Sequence, residues 1–272
     1  MDSVGFQLVG GAQPLVLVPA SVNGEGPFQF VFDTGAGISL LDPALARRLG
    51  VEKGEVKEGR VAGGRVEVSL GRVDALRVGG ALVEDLQVAL LDLSDLRRAT
   101  GAEVDGDLGY NFLQHFAVTL DYQARELRLV RGGAAASGGE TADLPFRLGQ
   151  PSKPLVLVPV LVNGMGPYSF ALDTGASMTL VAPDLAQSLG IHGQPAPAIT
   201  TGGGHTTPVS IGRAGSIAIG TAVRHDLPIL IAGFLGPLGE AVGEHLDGVI
   251  GYNFLNGFEV TLDYPAERLR LM

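Results

Sequence analysis

Residues 30–41 read FVFDTGAGISLL and residues 170–181 read FALDTGASMTLV. In each, a short apolar run delivers an Asp, and Thr-Gly-Ala turns the chain straight after it. Asp33 and Asp173 stand 140 positions apart (173 − 33). Each phrase lies inside a longer duplication. PLVLVPASVNGEGPFQFVFDTGA (14–36) lies over PLVLVPVLVNGMGPYSFALDTGA (154–176), with 16 of 23 positions identical. Downstream, DGDLGYNFL (105–113) matches DGVIGYNFL (247–255), and VTLDYQARELRLV (118–130) matches VTLDYPAERLRLM (260–272), both at an offset of 142. Even FQLVG at Phe6 is echoed by FRLGQ at Phe146. A repeat that spans nearly the whole chain makes its two copies the units of the fold.

RGGAAASGGETAD (131–143) has the small, flexible composition of a linker. It divides the chain into a first lobe at 1–130, a linker at 131–143 and a second lobe at 144–272. Each half reads as β-rich, because short apolar runs such as PLVLVP, FQFVF, VEVSLG and LRLV are bounded by Asn-Gly, Gly-Gly and Pro. VNGEGP and VNGMGP predict hairpin turns. LDPALARRLG predicts a short helix with Asp42 as N-cap, Pro43 at its first position and Gly50 at its end. VAPDLAQSLG repeats it with Pro183 and Gly190.

Composition narrows the function. A formal charge of −10 repels nucleic acid and anionic membrane surfaces, so neither is an expected partner. With no cysteine there is no disulfide, thiolate metal site or Cys nucleophile. Mean hydropathy is high at +0.28, yet no apolar run approaches the roughly 18–20 residues of a membrane span. The apolar stretch 227–239 is broken by Gly and Pro. MDSVGFQLVG has neither the basic segment nor the apolar core of a signal peptide. The compartment stays open: cytoplasmic as written, or periplasmic or exported where a leader has been removed. There is no Gly-x-Ser-x-Gly elbow, phosphate-binding Gly-x-x-x-x-Gly-Lys or His-Glu-x-x-His, and the five histidines are scattered.

Two homologous halves in one chain amount to a fused homodimer. Isologous pairing brings the same patch of each half to a pseudo-two-fold axis, so Asp33 faces Asp173. Gly35 and Gly175 permit unusual backbone angles and close approach. Two like charges almost in contact cannot both ionise, so the carboxyls share a proton. They titrate as one unit, and the sequence does not say which one holds it. Such a pair suits hydrolysis: the ionised carboxylate takes a proton from a water between the two, and the protonated carboxyl donates to a substrate carbonyl. No metal or cofactor is needed beyond that water.

With these residues the chain resembles the retropepsin-like aspartic proteases, the bacterial more than the viral members, once per half and over almost its full length. The resemblance implies an all-β, bilobal acid-protease fold, with closed barrel-like lobes and one or two short helices each. It also implies an aspartic endopeptidase with Asp33 and Asp173 as its catalytic dyad. Thr34, Gly35 and Ala36, with Thr174, Gly175 and Ala176, would form the supporting loops, the threonine hydroxyls bonding across the axis. Asp107, Leu108 and Gly109, with Val249, Ile250 and Gly251, would pack against those loops and border the substrate cleft. Ala62, Gly63 and Gly64, with Gly202, Gly203 and Gly204, would lie in two glycine-rich flaps closing over an extended polypeptide. Substrates would be mostly apolar at the scissile bond, and the protein a monomer holding an intramolecular pseudo-dimer.

The sequence departs from the viral pattern in both halves. Gly37 and Ser177 stand where an Asp is usual, and Tyr110 and Tyr252 where its Arg partner is usual. Asp107 stands where the second half has Val249. It either gives one cleft pocket a carboxylate that favours basic or polar side chains, or caps a turn or faces solvent. Ala36 and Ala176 offer no hydroxyl to stabilise the dyad's charge, which implies an optimum from mildly acidic to near neutral. Two rival readings remain. One is a peptide-binding or assembly module of the same fold that is weak in catalysis. The other is a pair of independent lobes, each needing another chain.

Overall fold

The computed structural model describes residues 3–11, 13–61, 64–132, 142–149, 154–200 and 205–272. The hairpin turns form as the Asn-Gly pairs require. Asn23 and Gly24 have φ of 51° and 82°, and Asn163 and Gly164 have 53° and 77°, the left-handed pair that suits the twist of a two-residue hairpin. Asn23 Oδ1 also accepts from the Ala75 N–H at 3.2 Å, so the turn residue ties a third strand to the hairpin.

The first half runs β1 (Ser3–Gly5), β2 (Gln7–Val9), β3 (Leu15–Val22), β4 (Glu25–Phe32), β5 (Leu40–Leu41), α1 (Pro43–Arg48), β6 (Val56–Val61), β7 (Gly64–Val78), β8 (Ala81–Leu90), α2 (Ser94–Thr100), β9 (Gly106–Leu108), α3 (Tyr110–Leu113), β10 (Phe116–Asp121) and β11 (Glu126–Arg131). The second repeats it as β12 (Ala142–Pro145), β13 (Arg147–Leu148), β14 (Val156–Val162), β15 (Met165–Leu172), β16 (Leu180–Val181), α4 (Pro183–Ser188), β17 (Gln194–Thr200), β18 (Thr206–Ile219), β19 (Ala222–Ile231), α5 (Leu235–Val242), β20 (Gly248–Ile250), α6 (Tyr252–Leu255), β21 (Glu259–Asp263) and β22 (Arg268–Leu271).

In the first lobe the strand order is β2-β3-β4-β9-β5-β8-β7-β6, and β3 pairs again with β7. That second pairing closes six strands into a ring, so the barrel leaves few edges to other chains. The second lobe has the order β13-β14-β15-β20-β16-β19-β18-β17 and closes by β14 against β18. The fold is thus all-β, with two barrel-like lobes, and each half adds two short helices and a four-residue helical turn (α3, α6). Helix α1 starts as its sequence predicts: Asp42 Oδ1 accepts from the Ala44 N–H at 2.8 Å. Asp42 Oδ2 meets the Arg97 guanidinium at 2.7 Å, which ties α1 to α2. The apolar stretch from 227 completes β19 and, after a break, forms α5.

A third sheet, β1-β11-β10-β21-β22-β12, takes half its strands from each copy. Its centre is the antiparallel pair β10–β21, in which Thr119 lies opposite its own counterpart Thr261. Their hydroxyls are 2.8 Å apart, which marks where the pseudo-two-fold axis passes. One continuous apolar core runs through both halves, joining Phe32, Phe112 and Leu120 to Leu172, Phe254 and Leu262, all fully buried. No helix among the described residues is long and apolar enough to cross a membrane.

Candidate active site

Each Asp-Thr-Gly loop leaves the end of a central strand. β9 lies between β4, which enters the loop, and β5, which leaves it, parallel to the first and antiparallel to the second. β20 does the same between β15 and β16. The Asp33 N–H donates to Leu108 O at 3.2 Å and the Asp173 N–H to Ile250 O at 3.0 Å. The later Gly-Tyr-Asn segment holds the rest of the loop. A Cβ on Gly109 would lie 2.6 Å from the Ile38 carbonyl carbon, and one on Gly251 would lie 2.5 Å from Met178 O. Tyr110 and Tyr252 donate their N–H groups to Ala36 O and Ala176 O, each at 2.8 Å.

Two further residue pairs clamp this contact, and the sequence reading did not single them out. Asn111 Oδ1 accepts from both the N–H and the hydroxyl of Ser39, at 2.7 and 2.9 Å, and Ser39 Oγ accepts from the Gly109 N–H at 3.0 Å. In the second half Asn253 Oδ1 accepts from the Thr179 N–H at 2.7 Å and Thr179 Oγ1 accepts from the Gly251 N–H at 3.2 Å. The signal was present: both Asn residues recur at the shared offset inside Gly-Tyr-Asn-Phe-Leu.

The threonines cross the axis. Thr34 Oγ1 accepts from the Thr174 N–H at 3.0 Å and donates to Leu172 O at 2.9 Å. Thr174 Oγ1 accepts from the Thr34 N–H at 3.1 Å and donates to Phe32 O at 2.8 Å. Both side chains are buried. The four bonds lock one loop to the other within one chain.

They also set how close the carboxyls come. A Cβ on Gly35 would lie 2.7 Å from Asp173 Cγ, and one on Gly175 would lie 2.7 Å from Asp33 Cγ. Neither glycine has a positive φ, so of the two reasons for glycine there, close approach is the one in force. Each carboxyl rests on the opposite loop. Each also accepts from its own: Gly35 N–H to Asp33 Oδ1 at 2.7 Å, Gly175 N–H to Asp173 Oδ1 at 2.8 Å. Asp33 and Asp173 are hydrogen-bonded to each other. Burial raises Asp33, against the pull of its hydrogen bonds; burial and then the Asp33 charge push Asp173 well above the usual carboxylate range.

The β9 and β20 residues divide between two faces, as strand alternation dictates. Leu108 and Ile250 are fully buried in the main core, so they support the loops from beneath and do not border the cleft. Asp107 and Val249 point the other way and are also buried. Asp107 does not face solvent: its carboxyl bonds Asp33, and burial and the two neighbouring Asp charges raise it well above its ordinary value. Tyr110 and Tyr252 take the place of the missing cation by packing across the halves. Tyr110 meets Tyr264 edge-on at 5.7 Å, and Tyr252 meets Tyr122 at 5.4 Å. Phe6 and Phe146, the repeated lead-in, pack against Tyr122 and Tyr264.

The glycine-rich segments form hairpins, β6–β7 and β17–β18. Ala62, Gly63, Gly202, Gly203 and Gly204 lie outside the described residues. Gly64 and His205 are described and meet: a Cβ on Gly64 would lie 2.6 Å from His205 Nε2, and that nitrogen is 3.1 Å from Arg65 O.

No curated protein matches the chain. The family described as aspartyl protease matches it twice, over residues 18–112 and 158–254, so each match takes in one Asp-Thr-Gly loop and the Gly-Tyr-Asn segment that clamps it. The chain belongs to the aspartyl protease family, with two copies of the family's unit in one polypeptide.

Proposed function

We propose that the protein is an aspartic endopeptidase in which Asp33 and Asp173 activate a water held between them. The observation behind this reading is the mutual contact of the two carboxyls, each seated on the opposite loop's glycine. Water attacks the peptide carbonyl carbon. One carboxylate accepts its proton while the other carboxyl protonates the carbonyl oxygen, giving a neutral tetrahedral diol; breakdown returns the protons through the same pair. The loops supply orientation, and partial burial together with the neighbouring charge favours keeping one proton on the pair. The β6–β7 and β17–β18 hairpins would cover an extended polypeptide, and Asp107 and Val249 would border the residues next to the scissile bond.

The test is incubation with unfolded casein, with and without pepstatin. Cleavage that pepstatin blocks and Asp33→Asn abolishes supports the reading. Peptide binding without cleavage by the wild-type chain would identify a binding module instead.

A further inference from the structure

Beside the dyad, one register position carries a carboxylic acid in the first half and an apolar side chain in the second. Asp107 occupies the same register in β9, opposite Val31 and Leu40, that Val249 occupies in β20, opposite Ala171 and Leu180. Val249 sits among Leu155, Leu157, Leu180 and Leu230. Asp107 is 6% exposed, and its Oδ1 is buried with no hydrogen-bond partner. Its carboxyl hydrogen-bonds the Asp33 carboxyl, and the Asp173 charge also acts on it. Among the described residues no Lys or Arg is paired with it, and no group of acidic or histidine side chains has the arrangement of a metal site.

An ionised Asp107 would therefore be a buried, unpaired charge beside two other carboxyls, an arrangement costing several kcal/mol. A neutral Asp107 needs a single acceptor for its proton, and Asp33 supplies one. The backbone donors to the dyad cancel by symmetry: Gly35 and Ala36 serve Asp33 as Gly175 and Ala176 serve Asp173. The Asp107 bond is the unmatched one, and it goes to Asp33.

We propose that Asp107 is a protonated positioning residue whose hydrogen bond to Asp33 breaks the dyad's symmetry. Asp33 is thereby the ionised member that receives the water's proton, and Asp173 the one that donates to the substrate carbonyl. This rests on the catalytic reading of Asp33 and Asp173. In the step itself the water oxygen bonds to the carbonyl carbon, its proton passes to Asp33, and the carbonyl oxygen takes the Asp173 proton. Asp107 keeps its proton throughout. The Asp107 hydrogen bond acts on Asp33 in the matching direction, favouring its ionised form.

Two variants separate the donor from the carboxyl. Asp107→Val installs the residue that the second lobe already accommodates at the same register. Asp107→Asn keeps a donor towards Asp33 and removes the titratable proton. Infrared spectroscopy near neutral pH should show one protonated carboxylic acid fewer in Asp107→Asn than in the wild type. The acid limb of the kcat/KM profile should move up by about one pH unit in Asp107→Val, the effect of losing one hydrogen bond to a charged group. In Asp107→Asn it should stay in place. Equal infrared bands in wild type and Asp107→Asn would mean Asp107 is ionised and would overturn the proposal. So would an acid limb that stays put in Asp107→Val, or moves equally in both variants; a purely structural role lowers Tm and activity without moving the limb. The infrared count needs no turnover and stands even where the wild type cleaves nothing. The pH dependence of pepstatin binding then replaces the acid limb, so failure of the catalytic reading is told apart from failure of this one.

Discussion

Gly35 and Gly175 show how a single atom can decide whether two carboxyls meet. Their φ angles are ordinary for any residue, and the constraint is space. Gly35→Ala would set a methyl 2.7 Å from Asp173 Cγ, so the carboxyl has to move by a good fraction of an ångström. A displacement of that size at reacting groups costs on the order of 10²-fold in rate. The expected outcome is a loss of about that size in kcat/KM, with Tm changed little because Gly35 is partly exposed. Thr34 makes the opposite prediction. Thr34→Val leaves the buried Thr174 N–H without its acceptor and removes the hydroxyl's bond to Leu172 O, at about 1–3 kcal/mol for the orphaned donor. Thr34→Ser keeps the hydroxyl and should recover most of that loss in urea unfolding; equal destabilisation by Val and Ser would mean the bonds across the axis contribute little. If the pair is catalytic as proposed, its raised values also set the pH range of activity, because one carboxyl must be ionised and both lie above the usual range. Turnover should peak in mildly acidic to near-neutral buffer, and a peak near pH 2–3 would contradict the burial-driven shift.

Among the elements, the two glycine-rich hairpins touch through His205 and the Gly64–Arg65 backbone. His205→Ala removes a hydrogen-bonding ring nitrogen from that junction. One such bond is worth about 0.5–1.5 kcal/mol, so KM should rise by about threefold to tenfold with kcat less affected. An unchanged KM would show that the hairpins do not act together on substrate. Duplication makes the Asp pair legible in the sequence. Asp33, Asp173 and the threonines recur with their whole surroundings, and a fused pair of like units leaves one natural way to face. Asp107 was not legible in the same way, because one strand position offers two faces and a side-chain letter does not say which is buried. Ser39 with Asn111 escaped notice because their contact spans 72 residues and involves no titrating group. Leu108 and Ile250, which the family resemblance implies at the cleft, lie in the core, because the two-residue period of a strand turns them away from Asp107 and Val249.

At the scale of the molecule, the two halves share the β10–β21 pair and one core, so their stability responds as a unit to the carboxyls set between them. Asp33, Asp107 and Asp173 all have raised values, from burial first. The unfolded chain releases those protons near the ordinary Asp value of about 3.9. Above that pH the folded state holds more protons than the unfolded one, and stability must fall as pH rises. The stabilising share is fully present below the ordinary value and is lost on the way up through the folded values. Asp107→Asn removes one of these protons and should flatten the slope of unfolding free energy against pH by up to about 1.4 kcal/mol per unit. The variant should therefore be more stable than wild type at neutral pH and nearly equal to it near pH 4. Urea titrations at a series of pH values read this directly. Parallel wild-type and variant slopes would mean that Asp107 ionises in the folded protein as it does in the unfolded chain, which its burial without a cation forbids.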